Sequence, residues 1–328
     1  MARKDGVLIL TQEIDPHSDA VIEELTRRKI PVWRVHTADF PLNATLTATN
    51  DAQGWCAHLS CSHFRVDLER IRSVWFRRPS LFRIDDRLTG SRAEFAVAES
   101  RMAIGGVLRS LPVRWVNHPE KIVSADYKPF QLAVAHRLGF TVPRSLVTND
   151  PEMARHFIDE LGEVIYKPLS SIIVGLEEAR PLNQFTRLVT QDDLPLIDAV
   201  RHAPCLFQER IEKAFELRVV VMESRVFSVA INSQNSERTN LDWRRSYTDL
   251  TYSVHEMDPS LERLCLELVD ELGLVFAAID LAVGNDGTIV FFELNSNGQW
   301  AWLEEHVDLP LVDSMVDLLA GDGGAHVT

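Results

Sequence analysis

The chain lacks any apolar run approaching the length of a membrane span, and its Met-Ala-Arg-Lys start has no apolar signal-peptide core. A cytoplasmic location is therefore expected. Positive charge is in deficit. Lys and Arg number 34 against 48 Asp and Glu, and the net charge of −14 argues against a nucleic-acid binder and an anionic-membrane binder. Only four cysteines occur, Cys56, Cys61, Cys205 and Cys265, without the spacing of a disulfide framework. Cys56, His58, Cys61 and His63 invite a zinc reading. If Trp55 to Phe64 is extended, however, Cys56 and His58 face one side while Cys61 and His63 face the other, which favours reduced structural cysteines and surface histidines. The first strand–helix turn, Thr11-Gln12-Glu13, has no glycine fingerprint, so dinucleotide binding is not expected. No internal repeat or low-complexity linker is present.

What remains is an ordinary globular composition, 45% hydrophobic and 25% charged over 328 residues, enough for two or three compact units. Val7–Thr11, a helix opened by Asp15-Pro16 with Val21, Ile22 and Leu25 on its apolar face, and Pro31–Thr37 form a βαβ unit. Residues 44–69 read as irregular or paired strands, and Ile71–Pro79 as a buried strand ending in two arginines. Ser91-Arg92-Ala93-Glu94 is a capping box opening a helix with Phe95, Ala98, Met102 and Leu108 on one side. Residues 70–114 hold ten arginines and no lysine, which suits either an acidic partner segment or solvated faces and subunit contacts. Further on, Asp126 is the expected cap of a helix ending at Leu138, with Gly139 as C-cap. Strands are expected at 141–148, 163–169 and across 205–231 with a turn at Glu223-Ser224. Helices are expected at 151–161, 259–272 and 309–319.

The most informative stretch runs from Ala277 to Trp300. Two apolar runs flank Asn285-Asp286-Gly287, a strong hairpin signal. With Asp286 and Gly287 as a two-residue loop, Asp280 and Glu293 stand directly opposite, their Cβ atoms about 5 Å apart. Asn295 points to the same face. Opposed carboxylates repel. A hard divalent cation would compensate them, as would an arginine, and an acidic pair on a solvated face is the bland alternative. Lys167 sits in an apolar strand and so must reach an anion; Lys128 stands near a helix N-terminus, which suits phosphate. Glu216 and Arg218 face the same side of a later strand; taken singly, a snorkelling lysine or a surface Glu/Arg pair is the usual explanation of such features.

Their order resembles the ATP-grasp superfamily: Lys128, Lys167, Gln208-Glu209-Arg210-Ile211, Glu216-Leu217-Arg218, Asp280 and Glu293-Leu294-Asn295, over roughly residues 120–320. The resemblance implies an α/β (α+β) fold, an ATP-grasp fold with an N-terminal pre-ATP-grasp βαβ domain. Its units would be 1–118, a central subdomain 119–203 and a C-terminal subdomain 204–328 carrying the hairpin. It implies ATP and Mg²⁺ as cofactors. Lys128 and Lys167 would bind phosphates, and Glu209 and Ile211 would meet adenine through their backbone. Glu216 would take the ribose, Arg218 the γ-phosphate or acyl phosphate, and Asp280, Glu293 and Asn295 the metal.

Three motifs look like those of the graspetide synthetases, microviridin-type maturases of ribosomal peptides: Ser73-Val74-Trp75-Phe76-Arg77-Arg78-Pro79, Leu241-Asp242-Trp243-Arg244, and Glu293 to Trp300. Ser296 departs from the proline usual there, and Ser170–Gly175 holds one glycine where many ATP-grasp enzymes have a glycine-rich flap. The resemblance implies a ligase that activates Glu or Asp side chains of a precursor peptide as acyl phosphates and joins them to Ser/Thr hydroxyls or Lys amines. The leader of that peptide would dock on the 70–115 region, and a homodimer is expected. Arg244 suits the substrate carboxylate, since guanidinium binds carboxylate in a bidentate manner; a salt bridge with Asp242 is the alternative. A ligase adding free amino acids, or a non-catalytic ATP-binding regulator, would share much of this constellation.

Overall fold

The computed structural model describes residues 5–52, 54–170, 186–236, 239–245 and 250–321. The glycine-poor segment 171–175, most of the expected flap, and the tail beyond Gly321 lie outside the described residues.

The N-terminal part runs β1 (Gly6–Thr11), α1 (Pro16–Arg27), β2 (Val32–His36), β3 (Ala44–Asp51), β4 (Gly54–Cys61), β5 (Arg65–Asp67), β6 (Ile71–Phe76), α2 (Ser91–Arg109) and β7 (Arg114–Val116). Strands β2-β1-β6-β7 form a parallel sheet, and β3-β4-β5 an antiparallel one. The apolar run of β1 is wholly buried, as a strand covered on both faces requires. Two expectations change here. Asp15 precedes α1, yet its side chain caps nothing and instead accepts from Thr11 Oγ1 at 2.8 Å. The helix α2 begins at Ser91 itself, with no side-chain cap. It packs through Ser100, Ile104, Val107 and Leu108, whereas Phe95 and Met102 are 66% and 69% exposed. Of the four residues expected on one side, only Leu108 is buried.

The next stretch holds α3 (Pro119–Ala125), α4 (Lys128–Leu138), β8 (Ser145–Thr148), α5 (Pro151–Leu161), β9 (Val164–Lys167), β10 (Arg187–Leu188) and β11 (Cys205–Glu209). Strands β10-β9-β11-β8 make an antiparallel sheet. Helix α3 was not anticipated. It ends at Asp126, so Asp126 closes α3 instead of capping α4, whose N-cap is Tyr127. Gly139 closes α4 in the left-handed region, as expected.

The last stretch holds β12 (Phe215–Met222), β13 (Arg225–Ile231), β14 (Tyr252–Val254), α6 (Pro259–Glu271), β15 (Phe276–Val283), β16 (Ile289–Asn295) and α7 (Leu311–Ala320). Strands β14-β13-β12-β15-β16 form an antiparallel sheet, with α4 and α6 packed on one side and α7 on the other. Strands β12 and β15 at its centre are buried almost end to end. Every polar side chain in them therefore needs a built-in partner.

Candidate active site

The hairpin reaches the expected pairing by a different route. Asp280 does oppose Glu293. The loop, however, has three residues, Asn285-Asp286-Gly287, closed by a Gly284 N–H to Thr288 O bond of 2.8 Å, with Gly287 at φ 82°. A three-residue loop shifts the register by one, and Leu281 accordingly faces Phe291. Phe292 is then left over as a bulge, which restores the register before Glu293. The bulge also turns the Phe292 carbonyl toward Lys167 Nζ, 3.3 Å away. A clean ladder would have left that carbonyl within the strand.

Cations from four elements hold the opposed carboxylates. Arg218 on β12 donates from Nη1 to both Asp280 oxygens, at 2.8 and 2.9 Å. Glu293 faces Lys167 Nζ at 3.0 Å, Arg244 Nη1 at 3.3 Å and Lys128 Nζ at 3.9 Å. Asn295 Nδ2 donates to Asp280 at 3.1 Å. Burial works against an anionic Glu293, yet the charges of Lys167, Arg244 and Lys128 hold it far below the usual carboxylate range. Asp280 moves the other way: burial and repulsion from Glu293 push it up against the pull of Arg218. Burial, with repulsion from Lys167 and Arg244, lowers the Lys128 ammonium.

A cleft of about 250 Å³ runs from this hairpin to β11 and is lined by Lys167, Glu209, Ile211, Glu216, Arg244, Asp280 and Glu293. Lys128, Arg218 and Asn295 join it through the contacts above, so all ten expected residues lie at one site. Glu209 is more constrained than expected. Its N–H donates to Arg144 O at 2.9 Å and its carboxylate accepts from Arg144 N at 2.9 Å. Burial raises the Glu216 carboxyl, and Lys213, with Nζ 2.9 Å from Oε1, pulls it back. Lys213 was missed. Its signal was available as a lysine three residues before Glu216 in Lys213-Ala214-Phe215-Glu216, beside an apolar strand. Arg244, 39% exposed in its short 3-10 turn, adopts the Asp242 salt bridge (Nε to Oδ1 2.7 Å, Nη2 to Oδ2 2.8 Å) and also reaches Glu293. Although burial opposes it, bonding to Asp242 and the charge of Glu293 raise its pKa.

Among the described residues, no three His, Cys, Asp or Glu side chains cluster as a complete metal cage. Two carboxylates and the Asn295 amide do suit magnesium, which takes hard oxygen donors and fills its remaining positions with water and substrate phosphate. Six cations, Lys128, Lys167, Arg210, Lys213, Arg218 and Arg244, balance six carboxylates, Glu209, Glu212, Glu216, Asp242, Asp280 and Glu293, so the site holds no spare negative charge for a bare cation. The site thus fits a metal arriving with a polyphosphate.

Residues 125–319 match the model of the RimK-like ATP-grasp domain, and residues 6–123 that of the MvdD pre-ATP grasp domain. The first covers more than half of the chain. The chain is a member of the RimK-like ATP-grasp family. As a member of that family the chain uses ATP, and its reaction class is that of an ATP-dependent ligase. The fold is shared with a Chryseobacterium gregarium RiPP-associated ATP-grasp ligase in complex with ADP and a leader and core peptide. That structure is 29% identical, with a TM-score of 0.88 and 96% of each chain covered. It is shared with the macrocyclase MdnC bound with precursor peptide MdnA from Microcystis aeruginosa MRC, 26% identical, TM-score 0.85, covering 96% and 99%. The macrocyclase MdnB of the same organism is 31% identical, TM-score 0.80, covering 97% and 99%. No curated protein sequence matches the chain.

Proposed function

We propose that this ATP-grasp protein is a peptide macrocyclase acting on a ribosomal precursor with a leader and an acidic, Ser/Thr-containing core. The supporting observation is Arg244, a guanidinium set between Asp242 and the metal-side carboxylate Glu293 at the mouth of the nucleotide cleft. A substrate carboxylate exchanging for Asp242 would lie on the guanidinium beside the phosphate lysines. A Glu or Asp oxygen then attacks the γ-phosphorus. A new O–P bond forms, the bond to the β-phosphate oxygen breaks, and ADP leaves an acyl phosphate. Lys128, Lys167 and Arg218 hold the negative charge of the transferring group. Magnesium, when bound by Asp280, Glu293 and Asn295, neutralises further phosphate charge. A Ser/Thr hydroxyl or Lys amine of the same peptide attacks the acyl carbon, phosphate departs, and the nucleophile's proton is released. The product is an ω-ester or ω-amide ring.

The ribose role of Glu216 and the adenine role of the Glu209 carbonyl and Ile211 N–H belong to the same proposal, as does the division at residues 118 and 203. So do a cytoplasmic location, which suits four cysteines that form no disulfide, leader docking on residues 70–115, and a homodimer. The exposed Phe95 and Met102 of α2 call for a covering partner. Light scattering with and without peptide distinguishes a second copy from a leader there. No helix among the described residues is long and apolar enough to cross a membrane. The deciding experiment incubates the cognate precursor with protein, ATP and Mg²⁺. A mass loss of one water per bond formed is expected, and an unchanged precursor refutes the cyclase reading. Arg244→Ala should abolish modification; undiminished ring formation would remove Arg244 from substrate binding.

A further inference from the structure

The segment after the metal strand is held by side chains from outside it. Gln131 bonds both the N–H and the carbonyl of Leu294, at 2.9 and 2.8 Å. Asn117 Nδ2 donates to Ser296 O at 2.9 Å, and Ser296 Oγ donates to Asp126 at 2.9 Å. Arg77 Nη1 donates to Asn297 O and lies 3.4 Å from Gly298 O. Arg218 Nη2 donates to Gln299 O at 2.8 Å. The Trp300 N–H donates to His17 Nε2 at 2.9 Å.

Two of these side chains stand beyond the carboxyl ends of parallel strands: Arg77 directly follows β6, and His17 lies in the first turn of α1, the helix that follows β1. In an open parallel sheet, the crevice between neighbouring strands whose connections run in opposite directions is where a ligand normally sits. Strand β1 leads outward to β2 on one side and has β6 on the other, so this is such a crevice. Here it receives the chain's own residues 297–300.

We propose that Arg77 is a positioning residue for the γ-phosphate site, acting on Arg218 through the Asn297–Gln299 backbone. Arg77 is 1% exposed, and its Nε and Nη2 have no hydrogen-bond partner, the nearest carboxylate oxygen, on Asp15, being 3.6 Å away. Burial, with repulsion from Arg78, lowers its pKa to about 10. A buried guanidinium left partly unsatisfied is costly, and an apolar residue of like volume would pack at lower cost. What the arginine supplies is a donor to the carbonyls on either side of Gly298. That glycine leaves no slack, since a Cβ there would lie 2.4 Å from Ala278 Cβ and 2.7 Å from Arg218 Nη2. Arg218 therefore has its direction set at two points: Asp280, within its own sheet, and Gln299, whose place is set between Arg77 and His17.

The inference rests on the reading of Arg218 as a γ-phosphate ligand, and the test separates the two. Affinities for ADP and for a non-hydrolysable ATP analogue, each with Mg²⁺, are measured by calorimetry on the full chain without peptide. In Arg77→Lys and Arg77→Met the preference for the triphosphate should fall at least fivefold, while ADP affinity stays within twofold. If Arg77→Met does not fold, His17→Phe should lose the preference and His17→Gln, which retains an acceptor for the Trp300 N–H, should keep it. An unchanged preference in the folded Arg77 variants overturns the inference, as does a parallel loss of ADP affinity. Arg218→Lys is the control. If it loses the preference while the Arg77 variants keep it, only the relay fails; if it too keeps the preference, the role of Arg218 falls and the relay with it.

Discussion

Replacing Glu293 with Gln should remove activity and also loosen the nucleotide-free protein. The carboxylate neutralises Lys167 at 3.0 Å, Arg244 at 3.3 Å and Lys128 at 3.9 Å, and the amide neutralises none of them. Removing one partner of a buried ion pair costs roughly 3–5 kcal/mol. Arg244 retains Asp242 and is 39% exposed, which places the expected loss near the lower end, about 3 kcal/mol. At about 2 °C per kcal/mol for a chain of this size, the melting temperature should drop by about 6 °C. The same three cations can be neutralised by phosphate. ADP or tripolyphosphate without Mg²⁺ should therefore raise the melting temperature of Glu293→Gln by more than that of the unsubstituted protein. Differential scanning fluorimetry with and without each anion reads both effects, and ADP release reads turnover. A variant melting within 1 °C of the parent would refute the electrostatic account. Full turnover would remove Glu293 from the metal site.

Three further outcomes follow from single contacts. His17 is buried neutral, with its pKa lowered to about 3 by burial and the nearby Arg77 against the pull of Asp15. The unfolded state thus takes up a proton near pH 6.5 that the folded state refuses, so this stability is complete above that pH and is lost on acidification toward pH 3. Between pH 6.5 and 5 the loss is about 2 kcal/mol; urea midpoints should show it, and His17→Gln should flatten the profile. Gly298→Ala forces contacts of 2.4 and 2.7 Å, an overpacking cost of about 1–3 kcal/mol. It should slow turnover more than it weakens ADP binding, and normal turnover would refute the close fit. Lys213→Met leaves the buried Glu216 without its cation. Its carboxyl should then protonate, raising the KM for ATP about tenfold with a smaller change in kcat; an unchanged KM would show that Lys213 only fills space.

Much of the site was legible because polar residues in apolar strands are conspicuous. Lys167, Glu216, Arg218, Asp280 and Glu293 each interrupt an otherwise buried run, and such groups need partners. The helix end at Leu138 followed from Gly139 at positive φ, whereas α6, expected to reach Leu272 before Gly273, ends one residue earlier at Glu271 with Leu272 as its C-cap. The hairpin was less transparent than its outcome suggests. The Asp280–Glu293 pairing was reached with a two-residue loop and no bulge, and the two differences cancel in the register. Ser296 was read only as a lost proline, whereas its hydroxyl donates to Asp126, the residue that closes α3. In α2 the apolar pattern grouped the exposed Phe95 and Met102 with the buried Leu108, because such a pattern identifies a face without saying what covers it.

The nucleotide chemistry was implied by a resemblance to the ATP-grasp superfamily; by itself the sequence determined which residues carry charge inside strands and in what order. Those properties follow from alternation, burial cost and local turn geometry, all short-range. Tertiary structure alone decided how that charge is shared. Glu293 is held by cations from three separate elements, Arg218 is aimed by the backbone of residues 297–299, and that backbone is fixed from the N-terminal part by Arg77 and His17. His17 and Trp300 are bonded across 283 positions of sequence, and no local pattern reports such a contact. It exists because a buried N–H must find an acceptor wherever the packed chain brings one.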